Sequence, residues 1–168
     1  MLQRLPWKSY LFDTIYDMSN RPHVGLGIII ENGAGEILVA KRAGSHARKY
    51  SIPGGGLELG ETFEAGAVRE VEEEHGITII DPEVIAVTNN LETYWETYRE
   101  TQGRRGIHVA SVILVAKSFE GVPRIMEPDK CEEILWANPQ QLPQPHFEAS
   151  RLGVECYLSG DVYRGIAE

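Results

Sequence analysis

The chain has 168 residues, 42% hydrophobic and 24% charged, which is the makeup of one folded domain and excludes a disordered or fibrous protein. A formal net charge of −9 argues against nucleic acid as an obligate partner, while a phosphate substrate stays compatible if a divalent cation mediates the contact. Cys131 and Cys156 form no disulfide framework or zinc spacing, no signal-peptide pattern opens the chain, and the longest apolar run, Val109 to Ala116, is too short for a membrane span, so a soluble cytoplasmic protein is expected.

Trp7, Tyr10, Leu11, Ile15 and Met18 recur at helical spacing and predict a short amphipathic helix over residues 5 to 19, ended by Asn20-Arg21-Pro22. Residues 1 to 20 are therefore read as a helical appendage that packs on the domain or on a second subunit, and 21 to 168 as the domain itself. Val24 to Ile30 reads as a strand; Glu31 to Gly35 is a turn, and Ile37 to Ala40 returns as the second strand of a hairpin. A polar loop from Lys41 to Tyr50 leads through Ser51-Ile52-Pro53 into three glycines, Gly54, Gly55 and Gly56.

Thr62 to His75 is predicted as a helix closed by Gly76 in the left-handed conformation. Strand-like segments follow at Ile77 to Val87 and His108 to Lys117, on either side of the polar stretch Asn89 to Arg105. Ile134 to Ala137 is a further short strand and Phe147 to Leu158 a last helix. Mixed strands with a few helices on their faces indicate an α+β or α/β sandwich, not a bundle.

The chemistry concentrates between Gly55 and Ile77. On a helix advancing about 100° per residue, Glu70, Glu73 and Glu74 share one arc, and Ala67, Val68 and Val71 share the next. One stripe can enter the core while its neighbour presents three carboxylates together. Like charges at that spacing repel, and a hard cation such as Mg²⁺ relieves the repulsion. Glycines before the helix let the backbone approach a ligand closely. Arg69 stands one turn before Glu73, placed to orient it, and Glu61 at the helix start suits the dipole and can reach Arg69. The spacing leaves open which carboxylate takes the proton from water.

The stretch from Gly55 through Glu61, Arg69-Glu70, Glu73-Glu74 and Gly76-Ile77 resembles, at every defined position, the 23-residue signature of the Nudix hydrolases. The resemblance implies a Nudix α/β/α sandwich with a mixed β-sheet between helices. It further implies metal-dependent hydrolysis of a nucleoside diphosphate linked to another moiety, with Mg²⁺ as the cofactor and Mn²⁺ as a substitute. Carried over, it makes Glu73 and Glu74 the metal ligands with Glu70 as a further ligand, adds the Gly55 carbonyl, and makes Glu70, Glu73 and Arg69 the catalytic set. Nudix enzymes often add a later acidic residue; among Glu127, Asp129, Glu132 and Glu133, the choice is Glu133.

Ser51-Ile52-Pro53-Gly54-Gly55, Leu57-Glu58-Leu59-Gly60-Glu61 and Glu127-Pro128 before Glu133-Ile134-Leu135-Trp136 are similar to the MutT-like nucleoside triphosphate diphosphatases, which release a nucleoside monophosphate and pyrophosphate. That subgroup implies a small-molecule nucleotide substrate, including oxidised or otherwise modified bases, and a homodimer. Arg42, Gly54, Gly56, Tyr94 and His146 are the expected substrate contacts: Arg42 for phosphate, Tyr94 and His146 for the base. Gly56 departs from the subgroup, which often has His there.

Two enzymatic alternatives follow from the same family. Tyr94 falls where diadenosine polyphosphate hydrolases carry a tyrosine, whereas Leu91 and Glu92 stand where ADP-ribose pyrophosphatases carry a proline. A non-catalytic Nudix ligand-sensing module is the alternative of another class. Such modules usually lose motif carboxylates or add a basic DNA-binding domain, and this chain does neither.

Overall fold

The computed structural model describes residues 21–43, 48–91, 94 and 107–165. The expected helix over residues 5 to 19 lies outside them. Two long apolar runs lie side by side: β1 (His23–Ile30) pairs in parallel with β6 (Val109–Ala116), Val24 opposite Ala110 through Ile30 opposite Ala116. Six consecutive residues of each strand are buried, as a parallel pair covered on both faces requires. β5 (Glu83–Asn89) runs antiparallel to β6, and β9 (Tyr163–Gly165) adds in parallel, giving the mixed sheet β1-β6-β5-β9.

A helix covers each face. Leu26, Ile28, Ile30, Val112, Leu114 and Ala116 alternate onto one face with Ala67 and Val71 of α1 (Phe63–His75). Ile29, Ile113, Val115 and Ala86 take the other, with Val154 and Cys156 of α2 (Glu148–Ser159). This is the expected α/β/α sandwich. Thr62 caps α1, its hydroxyl accepting from Ala65 N at 3.1 Å, and Gly76 ends it at φ 62°.

The hairpin expected of Val24–Ile30 and Ile37–Ala40 is not formed. β2 (Ile37–Arg42) leaves the turn with a single bridge, Glu31 to Ile37, and enters a second sheet between β3 (Tyr50–Ser51) and β8 (Cys131–Ala137). β6 takes one edge of β1 and the Pro53–Leu57 backbone takes the other, which leaves none for β2, and no local signal in a sequence announces a partner eighty residues away. The apolar segment after α1 also divides: β4 (Thr78–Ile80) pairs with β7 (Ser118–Glu120), then Asp81 at φ 46° turns the chain into β5.

Leu114 has no exposed surface at the centre of the α1 face. Leu114→Ala is expected to cost about 2–5 kcal/mol in urea unfolding, whereas truncation of Val122, 80% exposed, stays within about 0.5 kcal/mol.

Candidate active site

Arg69 binds four partners at once. Its guanidinium forks onto Glu61 (Nε to Oε1 2.7 Å, Nη2 to Oε2 3.0 Å), donates to Glu70 Oε1 at 2.9 Å, and reaches the Gly56 carbonyl at 3.0 Å. Its contact with Glu73 is longer, 3.5 Å. Arg69 thus orients Glu70 more firmly than Glu73, and it acts through other groups, with its donors turned to the loop and helix. The Arg69 bond holds the Glu61 carboxyl down at about 2, helped by the Glu58 amide.

The glycine segment lies along β1 as an irregular extra strand. Ile28 N donates to Pro53 O at 2.9 Å, Leu26 N to Gly55 O at 2.8 Å and Leu57 N to Val24 O at 3.2 Å. Alternate peptide groups face outward instead: Gly54 N donates to Glu74 Oε2 at 3.1 Å, and Gly56 O accepts from Arg69. The expectation that the Gly55 carbonyl faces a metal is corrected here, because strand alternation turns it to β1. The Gly54 carbonyl accepts no hydrogen bond among the described residues. Gly54 and Gly55 leave no room for a side chain, whereas Gly56 has open space around it. A Cβ on Gly54 would stand 2.1 Å from Leu26 O, and one on Gly55 would lie 2.2 Å from the Glu70 carboxylate.

Between this segment and α1 opens a cleft of about 440 Å³ lined by Glu70, Glu74, Glu127, Asp129, Arg42 and Lys130, among others. Glu74 is 26% exposed, and burial is the first cause that pushes its carboxyl up to about 7; Gly54 N and Arg42 oppose the shift, while Glu70 and Glu127 add to it. Glu61, just before the helix, and Glu74, near its end, therefore depart in opposite directions. No three carboxylates among the described residues close on a single point. The oxygen-rich lining fits a hard cation that retains water and accepts a backbone carbonyl, as Mg²⁺ does.

Glu133 does not line the cleft. It is exposed, accepts from Tyr50 OH at 3.0 Å, and pairs across strands with Lys41. Glu127 comes to Glu74 instead, because Arg124 N and Met126 N donate to the His75 and Glu74 carbonyls that end α1 (3.0 and 3.1 Å). Glu73 is 58% exposed and likewise outside the lining. Arg42 does enter the cleft. Its guanidinium stands 5.3 Å over the Phe147 ring, and burial lowers its pKa against the opposing charge of Glu74.

A second cavity of about 250 Å³ adjoins the cleft, and Arg42, Ser51, Ile52, Pro53, Gly54 and Gly55 line both. Its own walls are mainly apolar, with Val109, Ile113 and Phe147 beside the polar Asn90, Ser111 and Ser150. Asn90 is fixed by Thr88 Oγ1 (3.2 Å) and Ser111 Oγ (2.8 Å). Neither base-contact expectation reaches this cavity. Tyr94 tilts against His108 with centroids 6.0 Å apart, and His146 sits behind the wall, its Nε2 2.7 Å from Ser150 Oγ.

Gly56 borders the cleft through backbone alone. Asn90, Ser111 and Ser150 escaped the sequence reading because single polar residues in strands and helices carry no spacing signal.

The model of the NUDIX domain family matches residues 21–154. The chain belongs to that family. The crystal structure of the MutT NUDIX hydrolase from Burkholderia pseudomallei is 31% identical with a TM-score of 0.69, covering 81% of this chain and 98% of that one. The MutT protein from Methanosarcina mazei, at 21% identity and a TM-score of 0.64, shares the fold over 82% of this chain and 94% of its own. Among curated proteins, the RNA pyrophosphohydrolase of Erwinia tasmaniensis is 40% identical over 80 residues, 48% of this chain and 43% of that protein. The Nudix chain thus spans less than half the length of the curated relatives it matches. Among its described residues, no helix is long and apolar enough to cross a membrane.

The Glu74 shift has a measurable sign. Between the ordinary value of 4.5 and about 7, the folded Nudix domain keeps a proton that the unfolded chain releases, so this group's contribution to stability falls as pH rises through that window. In metal-free buffer, Glu74→Gln is expected to match wild type near pH 4 and to exceed it by on the order of 2 kcal/mol at pH 8, read from urea midpoints.

Proposed function

We propose that the chain is a pyrophosphohydrolase whose substrate is a (deoxy)nucleoside triphosphate, natural or with an altered base, cut to a nucleoside monophosphate and pyrophosphate. The observation that carries this reading is the junction of two unlike cavities across Arg42 and the Gly54–Gly55 backbone. One is acidic and suits a cation with phosphates; the other is mainly apolar and of a size for a base. In this reading Glu70, Glu74 and Glu127 hold Mg²⁺ or Mn²⁺ together with the Gly54 carbonyl, which replaces Gly55 and Glu133 in the ligand set. A cation there neutralises phosphate charge and supplies an activated water.

The chain's own groups do the rest. Arg42, stacked on Phe147, gives phosphate a bidentate donor. Arg69 keeps Glu70 aimed at the cleft, and Glu73 supports from the exposed edge of the same stripe. A second reading comes from the relatives named RNA pyrophosphohydrolase, and would place a 5′-triphosphate RNA end in the same cleft. The net charge of −9 favours the small nucleotide.

A product-resolved panel tests this: natural and oxidised nucleoside triphosphates, ADP-ribose, diadenosine tetraphosphate and a 5′-triphosphorylated oligoribonucleotide, each with Mg²⁺ and Mn²⁺. Pyrophosphate release from the free triphosphates is expected to be fastest. Preference for ADP-ribose or for the oligoribonucleotide would defeat the assignment. Glu74→Gln is expected to lower turnover at least ~10²-fold, whereas Glu133→Gln leaves it little changed.

A further inference from the structure

One side chain of α1 breaks the pattern of its own stripe. Ala67, Val71 and His75 follow one another at four-residue steps on the buried face, where the first two pack in the core. His75 is just as buried, 1% exposed, yet it is an imidazole. Neither Nδ1 nor Nε2 has a hydrogen-bond partner among the described residues. An imidazole always carries at least one N–H, so the buried ring has a donor to place. An orphaned buried donor is unfavourable, and a local rule broken in this way is characteristic of a functional position.

The ring borders the acidic cleft, and its Nε2 lies 3.7 Å from Glu74 Oε2. That is about 0.8 Å beyond an ordinary hydrogen bond. The same oxygen already accepts from Gly54 N at 3.1 Å. An ionised carboxylate oxygen draws charge-assisted bonds from the donors around it, and Gly54 N–H and His75 Nε2 are the two donors beside this one.

We infer that His75 is a positioning residue: its Nε2–H joins Gly54 N–H on Glu74 Oε2 when a divalent cation binds, leaving Oε1 directed to the metal. The inference rests on the metal role proposed above for Glu74. It is analogous in logic to the outer partners that orient metal-binding side chains, whose loss weakens binding by 10- to 100-fold. The histidine also explains why this part of the stripe is not simply aliphatic: an apolar ring would pack equally well but could not hold the carboxylate.

Mn²⁺ titration of the nucleotide-free full chain, followed by electron paramagnetic resonance at one pH, tests this apart from turnover. His75→Phe is expected to raise the Mn²⁺ dissociation constant ~10-fold or more while circular dichroism stays native. If Phe is not accommodated, His75→Leu carries the same loss. His75→Gln, which restores an N–H, is expected to recover most of the affinity, and in a Glu74→Gln background His75→Phe is expected to add little.

Wild-type affinity in His75→Phe, no recovery with Gln, or an equal loss without the Glu74 carboxylate would each overturn the proposal. Absence of Mn²⁺ binding in the wild type would remove the metal reading of the site as well.

Discussion

The guanidinium of Arg69 joins the loop to the helix, and the geometry of the site depends on that junction. One planar group takes Glu61 at the mouth of α1, Glu70 one residue on, and the Gly56 carbonyl from the strand-like segment. Two facing forks fix distance and orientation together, which a single point charge cannot do. Without that clamp, the Gly54 N–H to Glu74 would be the only hydrogen bond left between the glycine segment and α1 among the described residues. With it, the Glu70 carboxylate is pressed against Gly55, where a methyl group would already collide.

That clamp divides the carboxylates of α1 and its entry into two kinds. Glu61 is saturated with donors and is ionised throughout the physiological range. Glu74, facing the cleft from a partly desolvated position with Glu70 and Glu127 near it, is held close to neutrality. Environments that separate the pKa values of like groups in this way mark off structural from chemical roles. The same helix end supplies the third acid: the last carbonyls of α1 accept from Arg124 and Met126, and the turn that follows delivers Glu127. Helix capping and the assembly of the cleft are one event.

Much of the fold was readable from periodicity. α1 and its Gly76 stop, the last helix, and the apolar strands β1 and β6 fall where local pattern puts them, because capping chemistry and burial act within a few residues. The hairpin failed because strand pairing is a choice among partners. β1 is apolar on both faces, and a sheet covered by two helices buries both, with β6 on one edge of β1 and the glycine segment on the other. Glu133 misled for a related reason. It sits in the strand that the sequence makes visible, while Glu127 lies in an irregular turn whose place is set by contact with α1.

By itself, the sequence determined that one helix presents an acidic stripe beside an apolar one, that a glycine segment precedes it, and that Arg69 can bridge the two. These follow from rotation per residue and from which atoms glycine lacks. Only the tertiary structure decided which carbonyl of the glycine segment faces outward, which acid joins Glu74, and that an apolar cavity with Asn90, Ser111 and Ser150 adjoins the cleft. Those features depend on strand alternation and on segments far apart in the chain meeting at one point, and neither is encoded in any single stretch.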